Sequence, residues 1–349
     1  MEKIRLGKTN MMVSRLGFGG IPIQRDSEEE AVAIVKRCLD VGITFLDTAN
    51  AYTTSEQRIG KAIAGKREGL VIATKTTARS REGVEKHLHL SLERLGVTYI
   101  DLYQFHNVSD SNALKTVLDP AGPMAVVRAA QKAGLIRHIG VTSHQMDVAK
   151  QAVRSGHFET IMFPFNVITS EAADDLLPLC REHDVGFIVM KPLAGGMLEN
   201  VAIAFKYLRQ FPDLPLIAGI EKIHEIDEIV SVMSGPSLLT EAEQQEIEKM
   251  REQLGSRFCR RCDYCQPCDT GIPISIVMQY DSFVKRLPPE GTFSGWIAAS
   301  MEKAAECTNC GDCEERCPFA LPIREMIAEF VLTYGEAKKR SLERAAQKR

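Results

Sequence analysis

The sequence carries no surplus of charge and no long apolar run. Lys and Arg number 43 against 46 Asp and Glu, leaving a net charge of −3 over 349 residues. A dominant nucleic-acid or anionic-membrane role draws on an excess of positive charge, so both are excluded. No apolar stretch approaches the ~20 residues that cross a bilayer. The opening MEKIRLGKTNMMVSRLGFGG is broken by charge every few residues and lacks the apolar heart of a secretory signal. A cytoplasmic location is the expectation, and in that compartment thiols stay reduced and structural disulfides are rare. Two nucleotide-binding signatures are missing as well. Gly7-Lys8-Thr9 imitates the end of a P-loop, but Glu2 stands where its leading glycine belongs. Leu16–Gly20 (LGFGG) lacks the last glycine of a G-x-G-x-x-G turn and reads instead as a turn in an N-terminal hairpin.

With 44% hydrophobic and 26% charged residues, the chain has ordinary globular usage, which excludes disordered and fibrous classes. Short apolar runs rich in β-branched and aromatic residues recur to about residue 235. They are Thr44–Ala49, Leu70–Lys75, Ile100–His106, His138–Ser143, Thr160–Asn166, Gly186–Pro192 and Pro215–Ile220. Such runs, bounded by Gly or polar residues, are signatures of buried parallel strands. Helical patterns lie between them. Ser27–Val41 opens with an N-cap serine and three glutamates; Gly83–Leu95 and Ala125–Ala133 follow the same periodicity. Strict βα alternation without a dinucleotide fingerprint predicts a (β/α)8 barrel, which takes ~250 residues. Seven strands are clear; the eighth is sought near Val232 or Leu238. The expected organisation is a barrel over residues 1–250, a cysteine domain over 251–335 and a charged helical tail over 336–349.

Ten cysteines are unevenly spread. Cys38 and Cys180 lie in apolar helical contexts and read as packed core thiols. The other eight form two runs, Cys259-x2-Cys262-x2-Cys265-x2-Cys268 and Cys307-x2-Cys310-x2-Cys313-x3-Cys317-Pro318. The second run has the spacing of bacterial ferredoxins. Two residues between thiolates let one tight loop aim several of them at a single cubane. A zinc site needs two separated C-x2-C pairs, so iron–sulfur is the favoured reading. Eight thiols suffice for two [4Fe–4S] clusters, and at least one is expected. In two-cluster ferredoxins the fourth cysteine of a run ligates the other cluster. Carried over, Cys259, Cys262 and Cys265 would group with Cys317, and Cys307, Cys310 and Cys313 with Cys268. The first run departs from the pattern, with two residues before Cys268 and Asp269 in place of the usual Pro.

Polar residues end several of the early strands. Asp47 lies in LDTANAY with Tyr52 five residues on, Lys75 ends the second run, and His106 ends the third. Active sites of barrels sit at the C-terminal ends of the strands, so these four are positioned to converge. A phenol has a pKa near 10 and an adjacent ammonium stabilises its phenolate. Asp47 would hold Lys75, and His106 would polarise a carbonyl oxygen. The set describes a proton donor at a carbonyl while a hydride reaches the carbon.

On Asp47, Tyr52, Lys75 and His106, the opening IRLGKTNMMVSRLGFGG, and Ser55-Glu56 through Gly60 (SEQRIG), residues 1–235 resemble the aldo/keto reductase family. The cysteine domain places the chain with the ferredoxin-fused branch. The resemblance implies a nicotinamide cofactor, NADH or NADPH, across the strand ends. It implies contacts from Thr142, Ser143, Asn166, Pro192, Leu193, Gly195 and Lys222. Met162 and Met190 stand where a carboxamide-binding Gln and a stacking aromatic are usual, and Glu225 stands where a 2′-phosphate-binding Arg is usual. A carboxylate there repels a 2′-phosphate.

The expected activity is NAD(P)H-dependent reduction of an aldehyde or ketone, with Tyr52 as general acid. The clusters would exchange single electrons with a redox partner such as a ferredoxin. Two alternatives stay open: clusters that only brace the fold or sense redox state, and an electron-transfer or docking protein whose barrel lacks turnover.

Overall fold

The computed structural model describes residues 1–347. It divides into two compact units, Met1–Glu243 and Gln244–Arg349.

The first unit opens with an antiparallel hairpin, β1 (Lys3–Arg5) and β2 (Met12–Ser14). Eight parallel strands then close into a barrel. They are β3 (Leu16–Gly19), β4 (Phe45–Asp47), β5 (Val71–Thr76), β6 (Ile100–Phe105), β7 (Ile136–Thr142), β8 (Thr160–Pro164), β9 (Gly186–Met190) and β10 (Leu216–Gly219). β10 pairs with both β9 and β3, which completes the ring.

The strand missing from the sequence reading is therefore the first, not the last. Val232 lies in the helix Ile223–Ser234, and Leu238 is exposed. Leu16–Gly19 was read as a turn because half of it is glycine. Here glycine answers a packing need. A Cβ on Gly17 would stand 2.5 Å from Ile217 Cδ1, and one on Gly19 3.0 Å from the Ala218 carbonyl oxygen. The alternating Leu16 and Phe18 are fully buried in the layer between sheet and helices.

The hairpin closes the other end of the ring. Leu6 and Val13 join Phe45, Val71, Ala73, Leu102, Met162, Ile188 and Ile217 in the barrel's interior. Gly7, at φ +48°, lies so close to Gly186 that a Cβ would meet its nitrogen at 2.2 Å. Gly7-Lys8-Thr9 is thus a short 3-10 turn plugging the base of the barrel.

The helices follow their local signals. Glu28–Asp40 starts at Ser27, whose hydroxyl accepts from Glu30 N while the Glu30 carboxylate accepts from Ser27 N, a reciprocal cap. Arg81–Leu95 begins at Ser80 and ends at Gly96 in a left-handed conformation. The SEQRIG segment is the helix Ser55–Ala62. Its Gly60 packs on the end of Arg81–Leu95, where a Cβ would approach Arg94 O to 2.6 Å.

The second unit is helical. Its described core gathers Ile272, Ile274, Val277, Tyr280, Ile297, Met301, Ile327 and Phe330, with Cys265 and Cys313 among the buried members. The charged tail continues the long helix Ile323–Gln347. Among the described residues no helix is long and apolar enough to cross a membrane.

Candidate functional site

Strand order alone brings the predicted residues together. β4, β5 and β6 are neighbours, in a register that sets Asp47 opposite Ala73 and Lys75 opposite Gln104. The Lys75 ammonium donates to Asp47 Oδ1 at 2.5 Å and to the Thr48 carbonyl at 2.6 Å. Both side chains are buried. The same ammonium lies 5.2 Å from the centre of the Tyr52 ring. Tyr52 in turn meets His106 edge-on, with ring centres 5.7 Å apart. All four predicted residues therefore meet at one end of the barrel, where β4, β5 and β6 finish. Thr53, at φ +26°, turns the chain directly after Tyr52.

Burial and ion pairing oppose each other at this pair. Burial works against the Lys75 charge, but Asp47, and behind it Tyr52, keeps the ammonium above its ordinary pKa. Burial likewise pushes the Asp47 carboxyl upward, while Lys75 and then the Gln104 amide oppose it. Gln104 is fully buried and donates to Asp47 Oδ2 at 3.2 Å. The sequence reading did not single it out, because an inward-facing glutamine in an apolar strand carries no motif. Glu56, also buried, accepts from Thr74 Oγ1 at 2.7 Å and pairs with Arg94. Arg79 donates to the carbonyls of His106 and Asn107 and fixes the chain where β6 ends.

The residues expected around a dinucleotide divide. Thr142 and Ser143 are buried at the end of β7. Thr142 Oγ1 accepts from Asn107 N at 2.8 Å, next to His106, and Ser143 Oγ accepts from Gln145 N. Asn166 is taken up by two loops: it donates to Lys191 O after β9 and accepts from Ile168 N and Thr169 N in its own loop. Met162 packs in the barrel interior, where a thioether offers no hydrogen-bonding amide. Pro192, Leu193 and Gly195 lie in a tight loop after β9, where Lys191, Ala194, Gly195 and Gly196 all have positive φ. Lys222 follows β10, and its ammonium is 3.0 Å from Asp26 Oδ1. Glu225 turns its carboxylate back onto the nitrogens of Glu221 and Lys222, at 2.7 and 3.0 Å. Barrels commonly bind phosphate at this last loop and helix start. Here a carboxylate already occupies the donors.

In the second unit the two cysteine runs adopt the same turn. Arg261 and Asp263, flanking Cys262, have φ of 62° and 59°; Asn309 and Gly311, flanking Cys310, have φ of 62° and 99°. Left-handed residues on either side of the second cysteine fold each run around a concavity. One open cavity of about 390 Å³ is lined by Cys307, Cys310, Cys313 and the distant Cys268. Another, of about 320 Å³, is lined by Cys259, Cys262, Cys265 and the distant Cys317. Among the described residues no three His, Cys, Asp or Glu side chains are gathered as a single metal ion would require. Burial pushes the Cys259 thiol up to about 11 and Cys265 up to about 12. At Cys268 burial is outweighed by the Thr270 hydroxyl and by backbone N–H groups, which hold this thiol below its usual value. Cys38 and Cys180 lie buried in the first unit's core, each pushed up to about 12 by burial, as inert packed thiols are.

The model of the aldo/keto reductase family matches residues 15–252. The aldo-keto reductase YhdN of Bacillus subtilis is 32% identical over 226 residues, covering 57% of this chain and 64% of its own. The NADH-specific methylglyoxal reductase of Escherichia coli is 28% identical, covering 57% and 70% respectively. The matched part thus spans about two-thirds of these relatives' length. Among solved structures, aldo-keto reductase AKR11C1 of Bacillus halodurans aligns with a TM-score of 0.62 at 25% identity, over 72% of this chain and 96% of that one.

Proposed function

Because the chain belongs to the aldo/keto reductase family, we propose that its barrel reduces an aldehyde or ketone with a nicotinamide dinucleotide, and that its second unit holds two [4Fe–4S] clusters. The observation that carries the first part is the convergence of Asp47, Tyr52, Lys75 and His106 at one barrel end. Bound nicotinamide supplies a hydride to the carbonyl carbon. The Tyr52 hydroxyl gives its proton to the carbonyl oxygen, so an alcohol and an oxidised nicotinamide result. Lys75, held charged by Asp47, stabilises the phenolate left behind. His106, edge-on to the phenol ring, orients the carbonyl oxygen.

Charge favours NADH over NADPH. Lys222, the cation expected to receive a 2′-phosphate, is neutralised by Asp26. Glu225 adds negative charge at the same loop, where Glu221 pairs with Arg25. A 2′-phosphate would meet these carboxylates, whereas a 2′-hydroxyl can donate to one of them.

The cluster reading is supported by the paired turns and by the grouping of four thiols at each cavity. A cubane takes one thiolate per iron, and each cavity gathers four. Bound clusters supply one-electron capacity, and a redox partner such as a ferredoxin fits that chemistry. One observation favours a second reading, in which the clusters brace the fold: the thiols are part of the second unit's core.

Anaerobic purification followed by iron, sulfide and bound-nucleotide analysis tests the composition. Eight irons per chain are expected, and zinc in their place would refute the cluster assignment. Tyr52→Phe should lower carbonyl reduction by ~10²-fold or more. Unchanged turnover in that variant would remove Tyr52 from the chemistry. Reduction of the clusters by a physiological donor separates electron transfer from bracing.

A further inference from the structure

The two thiol groups resemble each other in turn geometry and differ in surroundings. Thr270 Oγ1 lies 3.2 Å from Cys268 Sγ. A metal-bound thiolate has no proton, so in a loaded site the hydroxyl is the donor. Cys310, in the same group, is exposed. In the other group no cysteine is exposed. There Cys259 Sγ receives a longer backbone bond from Arg261 N, at 3.4 Å, and the Arg260 guanidinium sits 4.2 Å from the Phe319 ring beside the cavity. Formal charge leans the other way. Arg316 and Arg324 face Asp269 and Asp312 around one cavity, with Arg324 paired to Glu314, whereas Arg260 and Asp263 line the other and the Arg261 guanidinium also acts on Cys259.

Reducing a cluster adds negative charge to its iron and sulfur atoms. Hydrogen bonds to the sulfurs and access of water both stabilise that charge and raise the potential. The Thr270 hydroxyl and the exposure of Cys310 both act on the same site. Resting on the cluster reading above, we propose that the two sites are electronically inequivalent. The Cys268, Cys307, Cys310 and Cys313 site has the higher reduction potential, and Thr270 is the residue that tunes it. An electron entering the unit then rests at the more exposed site, within reach of a partner.

The test is an anaerobic redox titration followed by EPR, on the purified full-length protein with its iron. Wild type should give two one-electron midpoints. Thr270→Val keeps the side chain's shape and removes the hydroxyl. It should lower the upper midpoint by about 59 mV, a tenfold change in the one-electron equilibrium, and leave the lower one in place. Thr270→Ser should restore the wild-type value. Coincident wild-type midpoints would overturn the proposal, as would a Thr270→Val shift in the lower midpoint, in both or in neither. Protein that purifies without iron and sulfide refutes the cluster reading itself, a different failure from unshifted midpoints.

Discussion

The two units assemble their candidate sites in opposite ways. In the barrel, Asp47, Lys75 and His106 come from three strands far apart in sequence, and a regular hydrogen-bonded ring brings them together. The site is a by-product of the scaffold, finished by a buried ion pair. In the second unit, most of the eight thiols come from two short irregular loops, and only Cys268 and Cys317 reach across. There the scaffold is small, and Cys265 and Cys313 belong to the core itself. A barrel can lose a polar group and stay folded. On the cluster reading, the second unit would lose part of its core with its metal.

The largest effect that separates the two is metal loss. Chelating the iron should unfold the second unit while leaving the barrel's thermal transition in place, because ligation free energy is folding free energy in such domains. Calorimetry should resolve one lost transition and one retained. Cys310→Ser should act in the same direction. Loss of both transitions together would show that the two units do not fold independently.

Next in size is Lys75→Met. It leaves Asp47 as an uncompensated buried charge, at a cost of about 3–5 kcal/mol of barrel stability by denaturant titration. It should also abolish carbonyl reduction while leaving the iron content unchanged. A variant as stable as wild type would mean that Asp47 takes up a proton without penalty.

The smallest effect lies at the boundary helix Glu241–Gly255. Glu243 is lowered from 4.5 to about 2, chiefly by its bond with Lys206 and then by Thr240 N. A folded-state pKa below the unfolded one contributes stability above 4.5 that disappears as the pH falls towards 2. Glu243→Gln should therefore melt slightly below wild type near neutral pH and converge with it in acid. A difference independent of pH would assign the effect to helix capping instead.

Much of the barrel was legible because buried parallel strands are written as short β-branched runs, and seven of them stood out. β3 was hidden because Gly17 and Gly19 serve tight approach to β10, a demand that propensity rules read as a turn. The convergence of Asp47, Lys75 and His106 could be read because each lies at the end of a separate strand run, and the strand ends of a barrel meet. Gln104 could not, since only the register opposite Lys75 shows where it points. Asn166 shows the converse: a family position kept by sequence, with its side chain bonded to its own loop and to the loop after β9. In the second unit, the likeness to two-cluster ferredoxins suggested which cysteine would cross over, but the Thr270 hydroxyl beside Cys268 follows from loop conformation and has no spacing signature.

The most direct test of the central claim is isotope transfer. Anaerobically purified protein is given NADH deuterated at the transferring C4 position and a simple aldehyde, and the alcohol is analysed by mass spectrometry. Hydride transfer at the Tyr52 site predicts one deuterium on the carbinol carbon, with incorporation falling in step with rate in Tyr52→Phe. An alcohol without deuterium, or no alcohol at all from iron-loaded protein, would contradict it.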